Sequence, residues 1–105
     1  MRKMQLFETE KIKSQVNEEY LKLAKKYKLN PTWLREIVEL RNRGFNHIQI
    51  AHQLGISRET VASYLKKLRN MDREDLWKII IAIGIILGGS YLIAKLLDFL
   101  FKKED

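Results

Sequence analysis

Residues 46–70, N-H-I-Q-I-A-H-Q-L-G-I-S-R-E-T-V-A-S-Y-L-K-K-L-R-N, decide the fold. They read as two short helices joined by a tight turn. Asn46 caps the first, whose apolar face is expected at Ile48, Ala51 and, at its margin, Leu54; Gly55 tolerates the left-handed conformation that ends it. Ser57 opens the second. Spacings of three and four turn Val61, Tyr64, Leu65 and Leu68 inward and leave Arg58, Glu59, Ala62, Ser63, Lys66 and Lys67 outside. A small residue at Ala51 lets two helices cross steeply at close range, with Ile56 and Val61 filling the wedge between them.

Upstream, Leu29-Asn30-Pro31-Thr32 is a break: Asn30 is a cap and proline takes the first helical position, where its missing N–H costs nothing. A helix then runs to about Arg43 with Trp33, Leu34, Ile37, Val38 and Leu40 on its apolar side, closed by Gly44. Trp33 and Phe45 are expected to seal the core, and Arg35, Arg41 and Arg43 are left for solvent or phosphate. Earlier still, Ile12, Val16, Tyr20, Leu23 and Tyr27 share one helix stripe between about Glu8 and Lys28, with Leu21 and Ala24 near it. Such a lysine-rich amphipathic helix is marginal alone and must pack on something. The three helices that follow are the expected partner, with a second copy of the same helix as the alternative.

The order of Ala51, Gly55, Ile56, Ser57 and Val61 resembles the DNA-binding units of homeodomain-like bacterial and archaeal regulators. The small DNA-binding domain of resolvases and invertases is similar, and R-E-T-V-A-S-Y-L at 58–65 is a frequent variant of its second helix. The resemblance covers residues 31–70. It implies a trihelical helix-turn-helix whose partner is double-stranded DNA. In such a unit the start of the second helix meets the major groove, which assigns Ser57, Arg58, Glu59, Ala62 and Ser63 to that contact, with Lys66 and Lys67 further along. Arg58 can bond guanine bidentately, and Glu59 can accept from cytosine N4. Ser57 and Thr60 can hold phosphates, as can His47 and Gln49 at the start of the preceding helix. The plain alternative is that Ser57 only caps, Thr60 packs, and Arg58 and Glu59 are solvated.

Downstream the character of the chain changes. Residues 79–94 run 16 positions without a charge, and 76–101 hold 26 residues with only Lys78, Lys95 and Asp98 charged. As a helix, 26 residues extend ~39 Å, against a hydrocarbon core of roughly 30 Å. This reads as one transmembrane helix, with Lys78 and Lys95 reaching the headgroups and Trp77 and Tyr91 near the interfaces. The alternative is a helix buried all round in an oligomer, which the Lys95 and Asp98 pair keeps open. Gly84 and Gly88 form a G-x-x-x-G that would let two such helices approach, giving a homodimer through the transmembrane face and two half-sites on DNA.

The net charge of +7 is carried entirely by the N-terminal part: residues 1–78 hold 17 of the 20 Lys and Arg against 10 of the 13 acids. A basic head favours an anionic partner, nucleic acid or an anionic lipid surface. It also places that head in the cytoplasm, on the lysine-rich side of the cell membrane. There is no cysteine, so disulfides, thiolate zinc sites and cysteine nucleophiles are excluded. His47 and His52 are five apart, on different helix faces, so no metal centre is expected. No phosphate-cradling glycine loop and no converging Ser/His/Asp set point to catalysis or to a bound cofactor.

The expectation is therefore an all-α chain without enzymatic activity. It comprises an amphipathic helix in 1–30, the helix-turn-helix in 31–70, a linker in 71–75, a transmembrane helix in 76–101 and a polar tail in 102–105. The leading function is DNA binding at the membrane, in transcriptional regulation. The alternatives are a membrane scaffold that uses the same helices to grip a protein, as in the membrane-anchored bacterial shape proteins this architecture also resembles, and a DNA tether without sequence preference.

Overall fold

Each helix of the central region starts on a side chain that can satisfy its free N–H groups. The helices in chain order are α1 (Arg2–Lys26), α2 (Pro31–Asn42), α3 (His47–Leu54), α4 (Arg58–Asn70) and α5 (Arg73–Leu87), and Asn30 opens α2 by accepting from the N–H groups of Thr32 and Trp33. The computed structural model describes residues 2–87, with side chains from residue 11 onward, and among them it contains no strand. Asn46 and Gln49 form a capping box at α3, and Ser57 accepts from the Thr60 N–H at the start of α4. The expected caps are all in place.

The first three helices end in one way. Lys28, Gly44 and Gly55 have positive φ (58°, 99° and 71°). The following apolar residue then turns its N–H back to a carbonyl five positions earlier: Leu29 to Ala24 at 2.8 Å, Phe45 to Leu40 at 3.1 Å and Ile56 to Ala51 at 3.1 Å. This bond satisfies an orphan carbonyl and swings Leu29, Phe45 and Ile56 onto the core. Three repeats of the same stop fold four helices onto a common centre.

That centre holds Leu34, Ile37, Val38 and Leu40 of α2, Ile50 and Ala51 of α3, and Val61, Tyr64, Leu65 and Leu68 of α4. Trp33 and Phe45 are half-buried against it, and the Trp33 and Tyr64 rings lie 6.3 Å apart. One expectation is corrected here. Ile48 is 59% exposed, and Ile50 is the isoleucine that points inward. Helix α3 packs on α2 and α4, and its inward stripe runs through Ile50, Ala51 and half-buried Leu54; Ile48, two residues before Ile50, is turned about 200° away from it at 3.6 residues per turn.

Helix α1 reaches the trihelical group as expected, since the Tyr20 hydroxyl donates to the Pro31 carbonyl and its burial raises its pKa far above the ordinary value. Its stripe, however, lies chiefly on α5. Leu23 and Ala24 of α1 and Leu76, Ile79, Ile80 and Ile83 of α5 are all buried in the same apolar core. Lys26 and Tyr27 fasten the two ends: Lys26 Nζ lies 2.8 Å and the Tyr27 hydroxyl 2.5 Å from Asp75 Oδ2. The hydrogen bonds from Lys26 and Tyr27 hold the Asp75 carboxyl below its usual range, and the bond to Asp75 in turn raises the pKa of both Lys26 and Tyr27.

Only Met71 and Asp72 separate α4 from α5, and Met71 is buried. Gly84 is buried within α5. Gly88 and the remainder of the 76–101 span lie outside the described residues, and among the described residues no helix is long and apolar enough to cross a membrane.

Candidate nucleic-acid interface

The Ser57 cap fixes where α4 begins, and its buried stripe fixes which side is left outside. Glu59, Ser63, Lys66 and Asn70 fall along the middle of the outer face, one turn apart, and all four are exposed. Arg58, half-buried Ala62 and Arg69 flank this row on one side; Lys67 and Thr60 flank it on the other. Arg58, Lys66 and Arg69 are exposed and make no ion pair or hydrogen bond among the described residues. The acids that do pair, Glu39, Glu74 and Asp75, take Arg43, Lys78 and Lys26 instead.

Ser57, Thr60 and Gln49, all expected contact residues, already have local work, and Lys67 does too. Ser57 Oγ accepts from the Thr60 N–H at 3.0 Å and shares a 2.7 Å bond with Thr60 Oγ1. Gln49 accepts the Asn46 N–H at 2.9 Å. All three hold caps, which aims the free N–H groups at the two helix starts outward. Lys67 Nζ donates to the Tyr27 carbonyl at 3.2 Å, tying α4 to the end of α1.

Two concavities border the row. At the start of α4, Arg41, Asn46, His47, Ile48 and Arg58 line an open depression that joins α2, α3 and α4. Arg41 also donates to the Phe45 carbonyl at 3.2 Å and so braces the turn between α2 and α3. The sequence had set Arg41 aside for solvent or phosphate and had placed Ile48 in the core; the depression brings both to Arg58. At the far end of α4, Tyr27, Ser63, Lys66, Lys67, Asn70 and Met71 line a second cleft. Tyr27 carries no sequence signal for this position, because the end of α1 arrives there only through its packing on α5.

The described residues hold no group of His, Asp and Glu suited to a metal ion. Comparison of the chain with protein-family models, with curated proteins and with solved structures finds no match in any of the three.

Proposed function

We propose that the chain is a helix-turn-helix protein that binds double-stranded DNA with α4 in the major groove and acts in transcriptional regulation at the membrane. The observation that carries this reading is the row of exposed, unpaired cations along α4 beside two outward-facing helix starts. Cations left without acids attract phosphate and release counterions when they meet it. Arg58, Glu59, Ala62 and Ser63 would then select sequence, while Lys66, Lys67 and the starts of α3 and α4 set position.

The anchor in this reading is the apolar run that begins in α5. Sixteen uncharged positions at 79–94 and the basic excess before them support a cytoplasmic head on a single-pass membrane helix. Leu76, Ile79, Ile80 and Ile83 are buried in the described part, so in this reading α5 exchanges its packing on α1 for the bilayer when the run spans it. Pairing of two copies through Gly84 and Gly88 needs the same release, since Gly84 is buried while α5 packs on α1, and would then set two heads side by side.

One observation favours a second reading, in which the same surface grips a protein: Ile48 is 59% exposed beside Arg58. The test is a titration of the full chain in neutral detergent with mixed-sequence duplex at two salt concentrations. The full chain is needed because ending it at Asp75 would strip α1 of its α5 cover. Binding that weakens with salt and falls with Arg58→Ala supports DNA recognition. No binding at low salt contradicts it and favours the protein contact.

A further inference from the structure

Resting on the reading of α4 as a major-groove helix, we infer that the cleft between the end of α1 and the far flank of α4 seats a sugar–phosphate unit of one DNA strand, while the depression at the start of α4 seats the backbone of the other. The two sites lie along one helix. From Arg58 to Lys66 the rise is ~12 Å, and the major groove is roughly 12 Å wide. A helix lying across the groove therefore brings one site to each wall.

The chemistry of the cleft fits that occupant. Lys66 and Asn70 are exposed donors with no hydrogen bond or ion pair among the described residues, and Ser63 stands one turn before Lys66. Lys67 contributes its charge from a fixed place, since its ammonium is held by the Tyr27 carbonyl. The floor is less polar: Met71 is buried, and the Tyr27 ring is oriented by its bond to Asp75. Donors at the rim suit a phosphate, and an aromatic and a thioether floor suits the deoxyribose next to it. No carboxylate lines the cleft. Helix α1 thus becomes part of the interface through its last turn, and α5 holds it there.

The experiment uses the full chain in neutral detergent and a duplex that it binds, with phosphates neutralised singly as methylphosphonates on each strand. The expected result is two sensitive positions, on opposite strands across one major groove. Lys66→Gln should lower the salt slope of log K by about 0.9 for the lost contact and abolish sensitivity at one of the two positions only. Asn70→Asp should abolish it at the same position, and Lys13→Gln, at the distant part of α1, should change neither. Sensitivity confined to one strand, or left intact by both cleft variants, overturns the inference while leaving DNA binding standing. If Lys66→Gln instead weakens binding to anionic phospholipid vesicles and spares both DNA positions, the cleft belongs to a lipid headgroup and the inference also falls. Failure of every duplex to bind would remove the underlying reading itself.

Discussion

The trihelical group and the α1–α5 pair are both held by buried apolar stripes, yet they differ in how their contacts are specified. In α2, α3 and α4 each boundary is set by a residue within a few positions of it: Asn30, Asn46 and Ser57 start helices, and Gly44 and Gly55 stop them. In the α1–α5 pair the decisive contacts join residues far apart in the chain, Lys26 and Tyr27 to Asp75 across 49 and 48 positions. Local rules build the trihelical group, whereas a long-range match decides where the basic first helix rests. The lesson is that an apolar run such as 76–87 has two uses, lipid and protein, and only its partner tells them apart.

The comparison breaks most visibly if the two regions are not one cooperative core. Leu68→Ala in the trihelical group should cost ~2–5 kcal/mol, and Ile80→Ala in α5 a similar amount. Both side chains are fully buried. Trp33 reports on the first region and Trp77 on the second, so single-tryptophan variants followed through urea unfolding read the two separately. Coincident transitions that both shift are expected. An Ile80→Ala effect near zero would mean that α5 leaves α1 for the bilayer.

Smaller effects probe the helix stops. An alanine Cβ at Gly55 would meet nothing within 4 Å, so Gly55→Ala should cost only the left-handed backbone, ~1–2 kcal/mol. Lys28 occupies the same conformation with a side chain, and Lys28→Gly should gain up to about 1 kcal/mol in thermal or urea unfolding. Loss of stability in that variant would show that Lys28 contributes something beyond its backbone. Next in order is the cap: Ser57→Ala should cost ~1 kcal/mol, measured in the same way.

The smallest and most selective effect is on pH. Asp75 has a folded pKa held below its ordinary value of 3.8, so its contribution is present above that value and lost as pH falls through the lowered one. An acid titration of Trp77 fluorescence should show this loss in the native chain. Asp75→Asn should flatten it, and an unchanged acid transition in that variant would remove the Asp75 fastening from the account.

Particular residues show where the sequence was legible. The caps, the glycine stops and the inward row of α4 were readable because each depends on chemistry within one or two turns. Lys28 was not, since lysine carries no preference for positive φ and accepts it only where Leu29 must reach the core. Ile48 and Ile50 lie two apart in an eight-residue helix, too short for periodicity to choose between them; the packing of α3 on α2 and α4 chooses. Within the candidate interface the exposed row of α4 was visible in advance. The two concavities were not, because each joins side chains brought together only by packing.

The proposal with the most at stake is that α4 reads DNA sequence. The most direct test is to incubate the full chain in neutral detergent with a random duplex pool at two salt concentrations and to sequence the bound molecules. Enrichment of one motif that disappears with Arg58→Ala is the predicted result. Binding without any enrichment would contradict sequence reading and leave a tether, and absence of binding at low salt would contradict the DNA interface altogether.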